Sequence, residues 1–176
     1  PDHLEIANVQ LRREHAALSS LDEERIVRLL DAGTLDANPY LVLEFVRGQS
    51  LGRVLEAHKA LTGDRVLSLG LALLRALKAD HEADLAHGDL KAENVLLIPE
   101  EDEMDVQGAL ERTNRIKLID FGMSRPFDTE GAKRLERIQG SPAYMAPELI
   151  QGHPCTPASD VYALGVVFFL LLTGRK

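Results

Sequence analysis

Asp89, Lys91, Asn94 and Asp120 are the residues of this chain whose types and spacing could do chemistry. The first three lie within His87-Gly88-Asp89-Leu90-Lys91-Ala92-Glu93-Asn94, and the fourth opens Asp120-Phe121-Gly122. Further along come a Gly140-Ser141-Pro142 turn and Ala146-Pro147-Glu148. Phosphoryl transfer asks for little covalent chemistry from a protein. It needs the attacking hydroxyl aimed, the phosphates held in line, and developing charge neutralised by metal ions and cations. Two acids, a lysine and an amide in this order supply a candidate for each need. One such motif could be chance, but three in sequence describe a mechanism rather than a composition.

These residues must be positioned by regular elements, and the apolar spacing says which. Leu11, Leu18 and Leu21 recur at helical intervals and predict an amphipathic helix over 4–21. A strand over 26–32, turn residues from Gly33 to Pro39 and an apolar strand over 40–46 follow, ending at a Gly48 break. Leu51, Val54 and Leu55 predict a short helix over 50–58, and Val66, Leu67, Leu73, Leu74 and Leu77 a longer one over 64–81. Apolar runs at 95–98 and 116–119 read as strands bracketing an exposed hairpin insertion that carries Glu100, Glu101, Asp102, Glu103 and Asp105. Four prolines punctuate 142–157, after which Ser159 is expected to cap an apolar helix starting near Asp160.

Composition sets the outer bounds. The 176 residues are 45% hydrophobic and 27% charged, the profile of a soluble globular protein with one good core. Acidic residues outnumber basic ones, 28 to 20, and the basic residues are scattered, which argues against a nucleic-acid partner. The single cysteine, Cys155, has no disulfide or metal-site partner, fits a reducing compartment and reads as an ordinary loop thiol. Residues 1–20 hold no unbroken apolar signal region. The apolar run from Val161 to Leu172 falls short of the roughly 20 residues a bilayer demands, so a buried helix and a cytoplasmic protein are expected, with a membrane anchor beyond either terminus left open.

On these motifs the chain resembles the eukaryotic-type Ser/Thr protein kinases, most of all their bacterial members. The resemblance runs from the regulatory helix of the small lobe to the central helix of the large lobe. It implies an α+β, two-lobed kinase fold that is incomplete, with residues 1–46 a remnant of the small lobe and 47–176 the hinge and part of the large lobe. It also implies ATP and Mg²⁺ as cofactors and protein substrates phosphorylated on Ser or Thr. Asp89 would orient the substrate hydroxyl and accept its proton, and Lys91 would steady the transferred phosphate. Asn94 and Asp120 would hold magnesium bridging the ATP phosphates. Leu43 would be the gatekeeper, the backbones of Glu44 and Val46 would bond the adenine, and Leu96 would form its floor. Glu14 would be the regulatory glutamate, with Leu18, Leu29, His87 and Phe121 in an apolar column. Glu93 would meet a basic residue of the substrate peptide. Ser141, where most relatives carry Thr, would face the substrate as well. Residues 144–148 would form the peptide-docking loop, and Asp160 would brace the catalytic loop through its backbone. Gly88 replaces an arginine that in many kinases binds a phosphorylated activation loop, so no such phosphate is expected to be needed.

Other readings stand beside this one. His-Gly-Asp-Leu also occurs in aminoglycoside and choline phosphotransferases, though those generally lack a Tyr-Met-Ala-Pro-Glu loop. Glu14 also reads as an ordinary exposed helix glutamate, and His87 as a buried structural imidazole. No Gly-x-Gly-x-x-Gly loop or lysine precedes the motifs, since the first glycine is Gly33 and the first lysine Lys59. On the resemblance the chain is then truncated at both ends, with negligible catalysis from these residues alone. A pseudokinase that binds partners without chemistry is the reading from another class.

Overall fold

The computed structural model describes residues 3–36, 38–58, 60–99, 115–127 and 140–175. Helix α1 spans His3–Ser20 and is followed by strands β1 (Leu29–Leu35) and β2 (Asn38–Leu43), paired antiparallel with a register irregularity between Leu29 and Asp31. The first strand starts later than the sequence suggests, because Ile26 and Val27 are drawn into the core instead. Ile26 makes a parallel bridge to Leu118, and the Leu118 N–H donates to the Arg25 carbonyl at 2.7 Å. This short parallel stitch ties the segment between α1 and β1 to the Leu118 backbone. The second strand is shorter than expected and ends at Leu43, after which Phe45 is almost fully exposed.

Strand β3 (Gln49–Ser50) leads directly into α2 (Leu51–His58), whose first turn is capped by the Ser50 hydroxyl accepting from the Arg53 N–H. A Cβ on Gly48 would come within 2.3 Å of the Leu97 carbonyl oxygen, so only glycine lets the chain cross this strand so closely. Helix α3 (Gly63–Glu82) is the longest element and buries Leu69, Leu73 and Leu77. Then come β4 (Leu85–Ala86), a turn of 3₁₀ helix at Ala92–Asn94, β5 (Val95–Leu97), β6 (Ile116–Leu118) and β7 (Arg125–Pro126). Strands β3, β5 and β6 form one antiparallel sheet, and β4 pairs with β7. The hairpin expected around the acidic segment is therefore present in its two strands, while the segment itself lies outside the described residues.

The short helix α4 (Pro147–Ile150) precedes α5 (Pro157–Thr173). Helix α5 begins three residues before the sequence suggests, and its cap is Thr156, not Ser159. Thr156 holds the extended backbone a cap requires, Pro157 fills the first turn, and Ser159 sits at the third position, where its hydroxyl accepts from the Thr156 N–H at 3.3 Å. Only one face of α5 is buried. Ala163, Leu164, Val167, Leu170 and Leu171 join the core, whereas Val161, Phe169 and Leu172 are about half exposed. The main core unites Leu18, Leu73, Leu118, Phe121 and Leu171, so it runs from α1 to α5. Among the described residues no helix is long and apolar enough to cross a membrane.

Candidate active site

The loop between β4 and β5, which carries Asp89, Lys91 and Asn94, takes its shape from a buried acid. Asp160, on the first turn of α5, accepts the His87 N–H at 2.9 Å and the Gly88 N–H at 3.0 Å, and its third interaction is with His81 Nε2 at 3.0 Å. Gly88 turns the chain with a φ of 79°, and a Cβ there would stand 2.9 Å from the Met123 carbonyl. His87 is wholly buried, 4.8 Å from the Phe121 ring, and its Nδ1 accepts the Asp89 N–H. Burial holds its pKa below the usual histidine range, against the opposing pull of Asp160, Asp120 and Asp89. His87 is thus a structural imidazole in this fold, packed as the column reading suggests.

Asp89 is almost buried and sits at the centre of the loop's contacts. One carboxylate oxygen accepts the Ser141 N–H at 2.9 Å, and the other accepts Lys91 Nζ at 2.5 Å. Lys91 Nζ also donates to the Ser141 hydroxyl at 3.2 Å. The Asn94 amide nitrogen donates to the Asp89 carbonyl at 3.0 Å, which fixes the amide's orientation and leaves Oδ1 as the acceptor it can offer. Asp120 follows β6 in a left-handed conformation, φ 67°, a strained state for a non-glycine residue of the kind found at functional sites. Its neighbour Phe121 is fully buried, anchoring the turn while the Asp120 side chain stays exposed.

A cavity of about 400 Å³ is lined by Glu14, Asp89, Lys91, Asp120 and Ser141 together with Gly122 and Met123. Helix α1 thus brings Glu14 to the same space as the loop residues. Its carboxyl is held above the usual range by burial and then by the charge of Asp120, with the Phe121 backbone N–H opposing. The other sequence candidates lie elsewhere. Leu43 and Val46 pack on the main core, Leu96 is half-buried in β5, and none of them lines this cavity. The Glu44 N–H is taken by the Arg28 carbonyl at 2.9 Å, so only its carbonyl is left for a base, and its side chain turns away to pair with Lys117. Glu93 is exposed and accepts the Tyr144 hydroxyl at 3.2 Å. Glu148 accepts the Ser159 hydroxyl at 2.7 Å, tying the 144–148 segment to α5.

Sequence reasoning missed three residues. His81 and Lys117 carry no motif of their own, yet His81 helps fix Asp160, and Lys117 bonds both Glu44 and the Ile26 carbonyl. Asp80 is completely buried on α3 with neither carboxylate oxygen hydrogen-bonded among the described residues. An acid at an inward position of an apolar helical face was its only signal. Burial, and then the nearby charge of Asp160, push its pKa up to about 8. Ser124, a potential modification site by type, is buried and donates to the His87 carbonyl.

An α+β fold in which a loop carrying Asp89 and Lys91 faces Asp120 across a cavity, with Asn94 buried behind it, is the architecture of the protein kinase class. The sequence model of the protein kinase domain matches residues 2–176, and the chain belongs to that family. It is 35% identical over 165 residues to the Ser/Thr-protein kinase PkaB of Streptomyces coelicolor, covering 92% of this chain and 38% of that protein. It is 32% identical over 166 residues to PrkC of Bacillus subtilis, covering 94% of this chain and 24% of the relative. A third relative, the probable Ser/Thr-protein kinase PknB of Lactococcus lactis, is 29% identical over 97% of this chain and 25% of its own length. The chain therefore spans well under half the length of these relatives.

Proposed function

We propose that the protein, in its full-length form, transfers the γ-phosphate of MgATP to Ser or Thr hydroxyls of protein substrates. The observation that carries this reading is the Asp89 carboxylate, fixed by the Ser141 N–H on one oxygen and the Lys91 ammonium on the other. A carboxylate so held stands ready to align an incoming hydroxyl and take its proton, and Lys91 stands beside it to meet phosphate charge. Ser141 borders the same point, which suits a substrate side chain laid along the 140–145 segment.

The donor set fits magnesium. Asn94 and Asp120 offer hard oxygen ligands, and among the described residues there is no cluster of three His, Cys, Asp or Glu that would form an all-protein cage. Magnesium held by one or two side chains keeps its remaining positions for water and phosphate. ATP so bound would supply the phosphoryl group. The adenine would lie toward Leu43, Val46 and Leu96, with the Glu44 carbonyl and the Val46 N–H as its backbone partners. Glu93, steadied by Tyr144, would attract a basic residue of the substrate.

A nucleotide titration tests the reading. Magnesium-dependent ATP binding by the full-length protein that is lost in Asp120→Asn supports it, and absence of binding refutes it. The alternative is a scaffold that binds partners without chemistry. Partner binding with no nucleotide affinity would establish that alternative.

A further inference from the structure

Lys117 stands at the middle of β6 with its side chain only 15% exposed, and an ammonium so hidden is costly unless its donors are used. It pairs with Glu44 Oε1 and donates to the Ile26 carbonyl at 3.0 Å. The same Glu44 oxygen accepts the Arg28 N–H at 2.9 Å, and the Glu44 N–H donates to the Arg28 carbonyl at 2.9 Å. Glu44 is therefore gripped by both its side chain and its main chain, which leaves its carbonyl for a base. The grip matters because the sheet has ended there. The β1–β2 ladder closes at the Leu29–Leu43 pair, Phe45 is 88% exposed, and the next anchor is Val46, packed on the main core. In the β5–β6 ladder Lys117 lies directly opposite Leu96, so the two side chains leave the same face of the sheet, and the lysine stem stands beside the residue expected to floor the adenine site.

We propose that Lys117 is a positioning residue for the adenine end of the nucleotide, acting through Glu44, whose carbonyl it holds toward the base. The proposal rests on the reading that this site takes ATP. Lys117 does not line the cavity that holds Asp89, Lys91 and Asp120, so its influence on the nucleotide runs through its partners. Both of those partners belong to the 26–44 segment, and the Asp120 turn is anchored separately by the buried Phe121. Without the ammonium, the Glu44 carboxylate keeps only the Arg28 N–H, and the Ile26 carbonyl loses this donor. The 44–46 segment then loses its fixed direction, while the loop around Asp89 keeps its own contacts to Ser141 and Lys91.

The test is steady-state kinetics of the full-length protein, with adenosine as an inhibitor that reads the base end alone. The variants are Lys117→Met and Glu44→Gln; the second leaves the ammonium in place and carries the test should the first lower the melting temperature. Each should raise the KM for ATP and the inhibition constant of adenosine by the same factor, at least about fivefold, and leave kcat at saturating MgATP within about twofold. The double variant should be no worse than Lys117→Met, because the two side chains act as one unit. A fall in kcat with adenosine inhibition unchanged would overturn the proposal, since Lys117 would then act along its own strand on Asp120. An unchanged KM in both variants, or factors that multiply in the double variant, would overturn it as well. Failure of the wild-type protein to bind ATP is a separate result, which refutes the reading of the site and the proposal with it.

Discussion

Replacing Asp80 with leucine removes a carboxyl group that the fold buries without a partner, and the consequence can be worked out from its titration. In the unfolded chain an aspartate titrates near 3.8, and in the folded protein burial and the charge of Asp160 raise this to about 8. Between those values the native state binds the extra proton, so stability falls as pH rises from about 4 to about 8 and then levels. One pKa unit is worth about 1.4 kcal/mol. The cost of Asp80 is then about 2 kcal/mol at pH 5, about 4 at pH 7 and about 5 at pH 8. Leucine also changes the packing volume of the site, an effect of about 1–3 kcal/mol that does not depend on pH and cancels when two pH values are compared. Urea unfolding of the protein and Asp80→Leu at pH 5 and pH 8 should therefore show the variant's relative stability rising by about 3–4 kcal/mol across that interval. A difference between the two proteins that stays constant with pH would refute the reasoning, because it would mean that Asp80 does not carry the extra proton in the native state.

Asp160→Ala should free the His87 and Gly88 N–H groups, raise their hydrogen exchange and lower turnover at least about a hundredfold, since charge-assisted hydrogen bonds are worth about 1.5–3 kcal/mol each. Unchanged exchange in that loop would show that Asp160 is not what fixes it. Gly88→Ala should cost about 1–2 kcal/mol in unfolding experiments, because a side chain must then occupy a left-handed backbone against the Met123 carbonyl; a neutral result would contradict that geometry. Cys155 is buried, and burial raises its thiol pKa to about 12. It should resist alkylation at pH 7.5 until the protein unfolds, and rapid labelling of the native protein would count against the placement. Treatment of the full-length protein with a phosphatase should leave its turnover intact, as the glycine at position 88 implies; abolition of activity would show a phosphate-dependent loop after all.

Much of the architecture was legible in the sequence because the elements that build it have strong periodicity. α3 follows its leucines to within a residue at each end, and the β5–β6 pair follows two short apolar runs. Boundaries failed where tertiary contacts outvoted local pattern. Ile26 has strand character but is consumed by its bridge to Leu118, and the cap of α5 moved to Thr156 because Pro157 is pre-set for the first helical position and pushes the residue before it to extended backbone. The candidate site was legible where chemistry is carried by contiguous motifs, as at Asp89, Lys91 and Asn94. It was not legible where a residue acts through space. Nothing local marks His81 as a partner of Asp160, or Lys117 as the link between Glu44 and Ile26, since each partner lies more than seventy positions away.

The central claim is that Asp89 organises phosphoryl transfer to a hydroxyl, and the most direct measurement is transfer of labelled γ-phosphate from ATP to protein serine or threonine by the full-length protein. The account predicts magnesium-dependent labelling of Ser or Thr that Asp89→Asn and Asp120→Asn each reduce at least about a thousandfold while Glu93→Gln mainly raises KM for basic substrates. Labelling that persists undiminished in Asp89→Asn, or that is absent from the wild-type protein while ATP still binds, would contradict it.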